Sequence, residues 1–275
     1  NGVVVAAHPE ASKVGVEILK KGGNAIDAAV AVQFALAVVY PNAGNIGGGG
    51  FLVYRSAKGE VNTLDFREKA GFRASRDMYL DANGNPLVDK SLFGHLAVGV
   101  PGSVAGMVTA HQKYGKLKWA DLLGPAIALA KNGFKITARQ ARELNGLKER
   151  FKTYNPNGTA LVKEGEWLEG DTLVQSELAY TLEQIRDKGM AGFYAGSVAD
   201  SLLAEMKRGN GILSTDDLKS YKAVWRKPII GDYKGFKIIT MPPPSSGGIA
   251  LIQLLKSVEP YPLKRWGLNA DSTVQ

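Results

Sequence analysis

Five glycines fall within seven positions, at Gly44, Gly47, Gly48, Gly49 and Gly50, and such a run limits what the chain around it can become. Glycine takes positive φ freely and lets another backbone approach to contact distance, but each one loses more conformational freedom on folding than any other residue. Four in succession therefore imply a turn or a close approach that other residues would block. Directly after them the pattern becomes β-like. FLVYR (51–55) and VNTLDF (61–66) are short strand-type runs, and SAKGE between them carries a turn signal at Lys58-Gly59, so the segment reads as a hairpin. The second strand delivers Asp65, Phe66, Arg67 and Glu68 at its end. Three charged groups beside a bare backbone can form a polar pocket. The same residues equally suit a glycine-rich packing turn with a surface Arg–Glu pair.

Two phosphate-binding readings fail. A phosphate loop needs Lys-Ser or Lys-Thr after its glycines, and none follows here. A dinucleotide fingerprint needs a strand before and a helix after, whereas here the helix comes first. Upstream, 3–7 is a β-type run ended by His8-Pro9, and from Ala11 the residues Val14, Ile18 and Leu19 recur at helical spacing. Gly22-Gly23 stops that helix. Asn24 caps the next, whose first turn carries Asp27, where the helix dipole favours an anion. This second helix is alanine-rich and apolar on most faces, the pattern of a helix packed all round, and Pro41 ends it.

Beyond the hairpin, DANGNP (81–86) is a turn cluster, and GVPGSVAG (99–106) leads into a helix over 104–114. Further helices are expected over 119–131, 136–151, 176–186 and 197–207, so 71–210 is mainly helical. Ser214 with Asp217 resembles a capping box before another short helix. Strand signals return at 225–231 and 236–240, bracketing the turn 232–235. MPPPSSGG (241–248) then leads into a helix over 249–258. Strands at both ends with helices between predict a mixed sheet whose partners come from distant parts of the chain.

The 275 residues can bury a sizeable core, and 45% hydrophobic with 22% charged residues is ordinary for a globular protein. The net charge is +8, but the basic residues are scattered. The densest group, KERFK (148–152), lacks the aromatic interleaving of a nucleic-acid surface, so the excess reads as solvated surface. A run of apolar residues over 25–39 is too short to span a bilayer and contains Asp27 and Gln33. The absence of cysteine removes disulfides and thiol nucleophiles. His8, His95 and His111 follow no metal-ligand spacing, so no metal or organic cofactor is expected. Ser103 fails the nucleophile-elbow pattern because Pro101 and Ala105 stand where glycines are needed.

GNIGGGGF followed by LDFREKA resembles the γ-glutamyltransferase family of N-terminal nucleophile hydrolases. So do NAIDAAVAVQFALAVVYP (24–41), GVPGSVAG (99–106) and MPPPSSGG (241–248), in the order of the family's large chain. The resemblance implies a four-layer αββα sandwich, with 1–275 as the large-chain portion of a single domain completed by a separate small chain. It implies an enzyme that moves a γ-glutamyl group from glutathione or glutamine to water, an amino acid or a peptide through a glutamyl-threonine ester, without a cofactor. By position, Arg67 is the family's substrate-binding arginine, holding the donor's α-carboxylate; a guanidinium fork suits that task. Asp65 and Glu68 are candidates to orient it, or strand-end surface charges. The nucleophile is implied to be an N-terminal threonine in a Thr-Thr-His context. No Thr-Thr pair occurs and residue 1 is Asn, so no catalytic residue is expected in this chain. The family's large chain usually continues past the position of Gln275, and the start at Asn1 suits a targeting segment that was removed or never included; the resemblance implies a periplasmic or secreted location. A cephalosporin (glutaryl) acylase or poly-γ-glutamate hydrolase is the alternative within the family, and a non-catalytic basic binding module the alternative outside it.

Overall fold

The computed structural model describes residues 2–43 and 45–274; Gly44, the first glycine of the loop, lies outside them, as do Asn1 and Gln275. The described chain divides into two compact units, one made of 1–50 with 66–223 and the other of 51–65 with 224–275.

The first unit is helical and its core forms around Ala25–Val39. Both capping-box bonds are made at its start. Asn24 Oδ1 accepts from the Ile26 and Asp27 amides, and the Asp27 carboxylate accepts from the Asn24 amide. Asp27 is fully buried, and it also accepts from the amides of Lys116 and Leu117. One carboxylate thereby closes a helix start and fixes a loop 90 residues away. Phe34, Ala31, Ala35 and Val38 are buried around the rest of the helix, which packs against Pro9–Lys20 and Trp119–Asn132. Trp119–Asn132 packs in turn on Ser176–Lys188.

Three expectations for this unit change. Residues 3–7 form no strand; Val3 and Val5 are exposed, and among the described residues no strand pairs with them. The helix expected over 136–151 is two helices, Ala138–Gly146 and Lys148–Tyr154. Thr137 and Gln140 form a capping box that starts the first, so Ile136 stays extended and bonds to Asp171. Gly146, a poor helix former, stands at the break. The helix placed at 104–114 begins one residue earlier, Ser103–Tyr114.

The second unit holds the hairpin. Phe51–Arg55 pairs antiparallel with Val61–Asp65, in the register Phe51↔Asp65 to Arg55↔Val61. Gly59 takes φ +86° at the turn, the conformation Lys58-Gly59 signalled. Val61–Asp65 pairs on its other side with Val224–Arg226, Thr63 opposite Arg226, so the sheet does join distant parts of the chain. The pairing among the described strands is antiparallel throughout rather than mixed. The run expected at 225–231 is split by Lys227-Pro228. Proline has no N–H for a ladder, and Ile229–Tyr233 turns instead to a hairpin with Phe236–Thr240. The helix Gly247–Val258 lies against this second hairpin, with Ile252 beside Gly231.

Candidate substrate-binding site

Within the first unit the glycine loop and Phe66–Ala70 are tied together residue by residue. The Asn45 side chain accepts from the Gly47 amide at 2.8 Å, and the Asn45 carbonyl accepts from the Gly48 amide and from Ser103 Oγ. The Gly48 carbonyl in turn accepts from the amides of Gly102 and Ser103, at 2.8 and 3.0 Å. This explains why Ser103–Tyr114 starts without a side-chain cap: a loop carbonyl satisfies its first donors. Gly50 and Phe66 exchange both backbone hydrogen bonds. The Phe66 ring is buried against Gly50 and Gly106, where side chains would collide with it. Lys69 and Val100 exchange a second pair.

Between these two anchors stand Arg67 and Glu68, both exposed. They line a cleft of about 740 Å³ with Gly47, Lys69, Gly99 and Tyr79. The Glu68 carboxylate lies along the Gly48–Gly49 backbone. A Cβ on Gly49 would stand 2.5 Å from the Phe66 carbonyl oxygen and 2.9 Å from Glu68 Oε2, so the close approach read from the glycine run is made by Phe66 and Glu68. Asp65 is no surface charge: it is buried and takes the Arg226 guanidinium at 2.8 and 2.9 Å within the second unit.

Sequence reasoning missed the groups that hold the Arg67 backbone. The buried Tyr221 hydroxyl donates to the Arg67 carbonyl at 2.8 Å across 154 residues of chain. Its ring stacks on that of Tyr194, centroids 6.0 Å apart and 3° from parallel. Tyr194 Oη donates to the Pro101 carbonyl and accepts from the Ala105 amide; burial pushes its phenol well above the ordinary tyrosine range. No local motif marks either tyrosine, but the Ser214–Asp217 capping box that places Tyr221 was legible.

The three histidines are all used in holding structure. His8 caps the first helix through Nδ1 and pairs Nε2 with Gln140. His95 meets Glu205 at 2.7 Å, and His111 meets the Leu117 carbonyl at 2.9 Å. Arg208 and His95 together hold the Glu205 carboxyl down at about 2. Among the described residues no three His, Cys, Asp or Glu side chains stand together as a metal site, and no helix is long and apolar enough to cross a membrane.

Comparison with known proteins adds the following. A family model described as gamma-glutamyltranspeptidase matches residues 11–275. The glutathione hydrolase proenzyme of Escherichia coli K12 is 46% identical over 276 residues, covering 100% of this chain and 48% of that protein; the chain thus spans about half the length of the curated relatives it matches. The crystal structure of Helicobacter pylori gamma-glutamyltranspeptidase superposes with a TM-score of 0.97 at 49% identity, covering 99% of this chain and 79% of that one. The Bacillus anthracis transpeptidase CapD superposes at 0.79 with 34% identity over 99% of this chain and 86% of its own.

Proposed function

This chain belongs to the γ-glutamyltranspeptidase family, with the fold of the N-terminal nucleophile hydrolases, and from that premise we propose that it is the large-chain part of an enzyme that transfers or hydrolyses γ-glutamyl groups. Glutathione, glutamine and related γ-glutamyl compounds are the donors; water, an amino acid or a peptide is the acceptor. A small chain of the same precursor completes the αββα domain and supplies the threonine whose hydroxyl forms the glutamyl ester. Residues 1–275 contribute the carboxylate clamp, Arg67. The same reading places the mature protein in the periplasm or outside the cell.

The observation that carries this reading is the setting of Arg67. It is an exposed guanidinium on a backbone anchored on both sides, at the wall of a cleft beside the glycine loop. A guanidinium carried at the cleft wall by an anchored backbone suits capture of a carboxylate by two parallel hydrogen bonds. The named functions of the E. coli and H. pylori proteins fit the same chemistry. The matching test uses a chromogenic γ-glutamyl anilide. The matured two-chain protein should release the anilide and the isolated 275-residue chain should not. Comparable turnover by the isolated chain would refute the assignment of the nucleophile to the partner.

A further inference from the structure

We propose that Tyr221 is a positioning residue for the carboxylate clamp, acting through its hydrogen bond to the Arg67 carbonyl; this rests on the reading of Arg67 given above. Phe66 is held by Gly50 on one side and Lys69 by Val100 on the other. The peptide between Arg67 and Glu68 is held at its carbonyl oxygen by the Tyr221 hydroxyl, at 2.8 Å. Fixing that oxygen fixes the tilt of the peptide plane, which sets ψ of Arg67 and φ of Glu68 together. The direction in which the guanidinium leaves the backbone follows from it.

Tyr221 is itself built in place. It follows the short helix Thr215–Ser220, whose first turn is closed by Ser214 and Asp217. Asp217 also accepts from the Phe72 amide at 2.7 Å, and Arg73 donates to the Ile212 carbonyl at 2.9 Å. The segment after Arg67 and the segment before Tyr221 are thus tied together independently of the Tyr221–Arg67 bond. The Tyr221 ring is buried between Tyr194 on one face and the Lys69 ammonium, 5.3 Å from its centroid. Gly102 faces the hydroxyl with no room for a side chain. A phenol this constrained cannot swing away, so its O–H direction is a fixed reference for the clamp.

Tyr221→Phe removes the hydroxyl and keeps the ring. In the matured two-chain protein it should lower kcat/KM for a γ-glutamyl anilide by about tenfold, the size of one lost hydrogen bond. It should change turnover of the 4-aminobutyryl anilide, which lacks the α-carboxylate, by less than about twofold. Tyr194→Phe loses a neighbouring buried hydroxyl that does not touch Arg67, and should leave the ratio between donors unchanged. 4-Aminophenylalanine at position 221 restores an N–H donor at the same place and should recover most of the ratio, which also serves if Tyr221→Phe matures poorly. With Arg67→Ala already present, Tyr221→Phe should add less than about a further twofold on either donor. Equal losses on both donors for Tyr221→Phe, with Arg67→Ala still donor-selective, would overturn the positioning role and leave the clamp standing. Equal losses on both donors for Arg67→Ala would overturn clamp and positioning together.

Discussion

At Gly102 and Gly124 the same substitution should have opposite effects. A Cβ at Gly102 would fall inside contact distance of the Phe66 carbonyl oxygen and the Tyr221 hydroxyl, both held by other bonds. At Gly124, inside Trp119–Asn132, a Cβ meets nothing within 4 Å. Gly102→Ala should therefore destabilise by about 1–3 kcal/mol through overpacking. Gly124→Ala should stabilise by about 0.5–1 kcal/mol through helix propensity. Urea unfolding of the two variants beside wild type checks the pair; equal shifts would show that no steric demand requires glycine at 102. The glycine run itself was legible because the residue type announces a close approach. What approaches was not legible in the residue type, and the Phe66 carbonyl and the Glu68 side chain supply it.

Helix starts were the elements most readable in the sequence, because a capping box lies within four residues. Asn24 caps as read and Ser214 with Asp217 forms its box as read, while Asp27, read only as an anion at the helix dipole, also closes a box with Asn24. Thr137 with Gln140 carries the same signal and sets the start at Ala138 rather than 136, whereas the break after Gly146 has no capping signal of its own. The start of Pro9–Lys20 was harder, since its cap is a histidine. His8 Nδ1 accepts from the Glu10 amide, and Nε2 donates to Gln140 Oε1 at 3.3 Å, so the ring works as a neutral tautomer. Burial, the largest effect on it, lowers its proton affinity below the ordinary value of 6.5, against a smaller opposing pull from Gln140. Between the lowered and ordinary values the unfolded chain binds more protons than the folded one, so stability rises with pH there. The contribution is full above about pH 6.5 and is lost as pH falls through the lowered value. Wild type should lose more stability between pH 7 and pH 5 than His8→Asn, which keeps a capping oxygen but cannot titrate. Matched urea titrations at the two pH values check this; parallel losses would contradict it.

Across the whole molecule, what the sequence made visible was local or carried by several motifs in order. The hairpin stands where it was read, and Arg67 and Glu68 stand beside the described glycines 47–50, whereas Asp65 pairs with Arg226 instead; the family resemblance supplied the fold class. The division into two units was not visible. Residues 51–65 join 224–275 without any linker composition at 50 or 65, because the crossing is made by strand pairing between Val61–Asp65 and Val224–Arg226. Tyr221 escaped notice for a similar reason: its partner is 154 residues away, and a tyrosine after a short helix has no signature of its own. Arg67 could be singled out only because its neighbours in the chain carry the family's pattern. The central claim is that Arg67 holds the donor's α-carboxylate, and the most direct measurement is kcat/KM of Arg67→Ala on two donors, after maturation is confirmed. On a γ-glutamyl anilide the loss should be about 30- to 1000-fold, equivalent to about 2–4 kcal/mol for a charged two-pronged contact. Arg67→Lys should lose less, since it keeps the charge without the planar fork. On the 4-aminobutyryl anilide, which has no α-carboxylate to hold, Arg67→Ala should match wild type within a few-fold; an equal fractional loss on both donors would contradict the account.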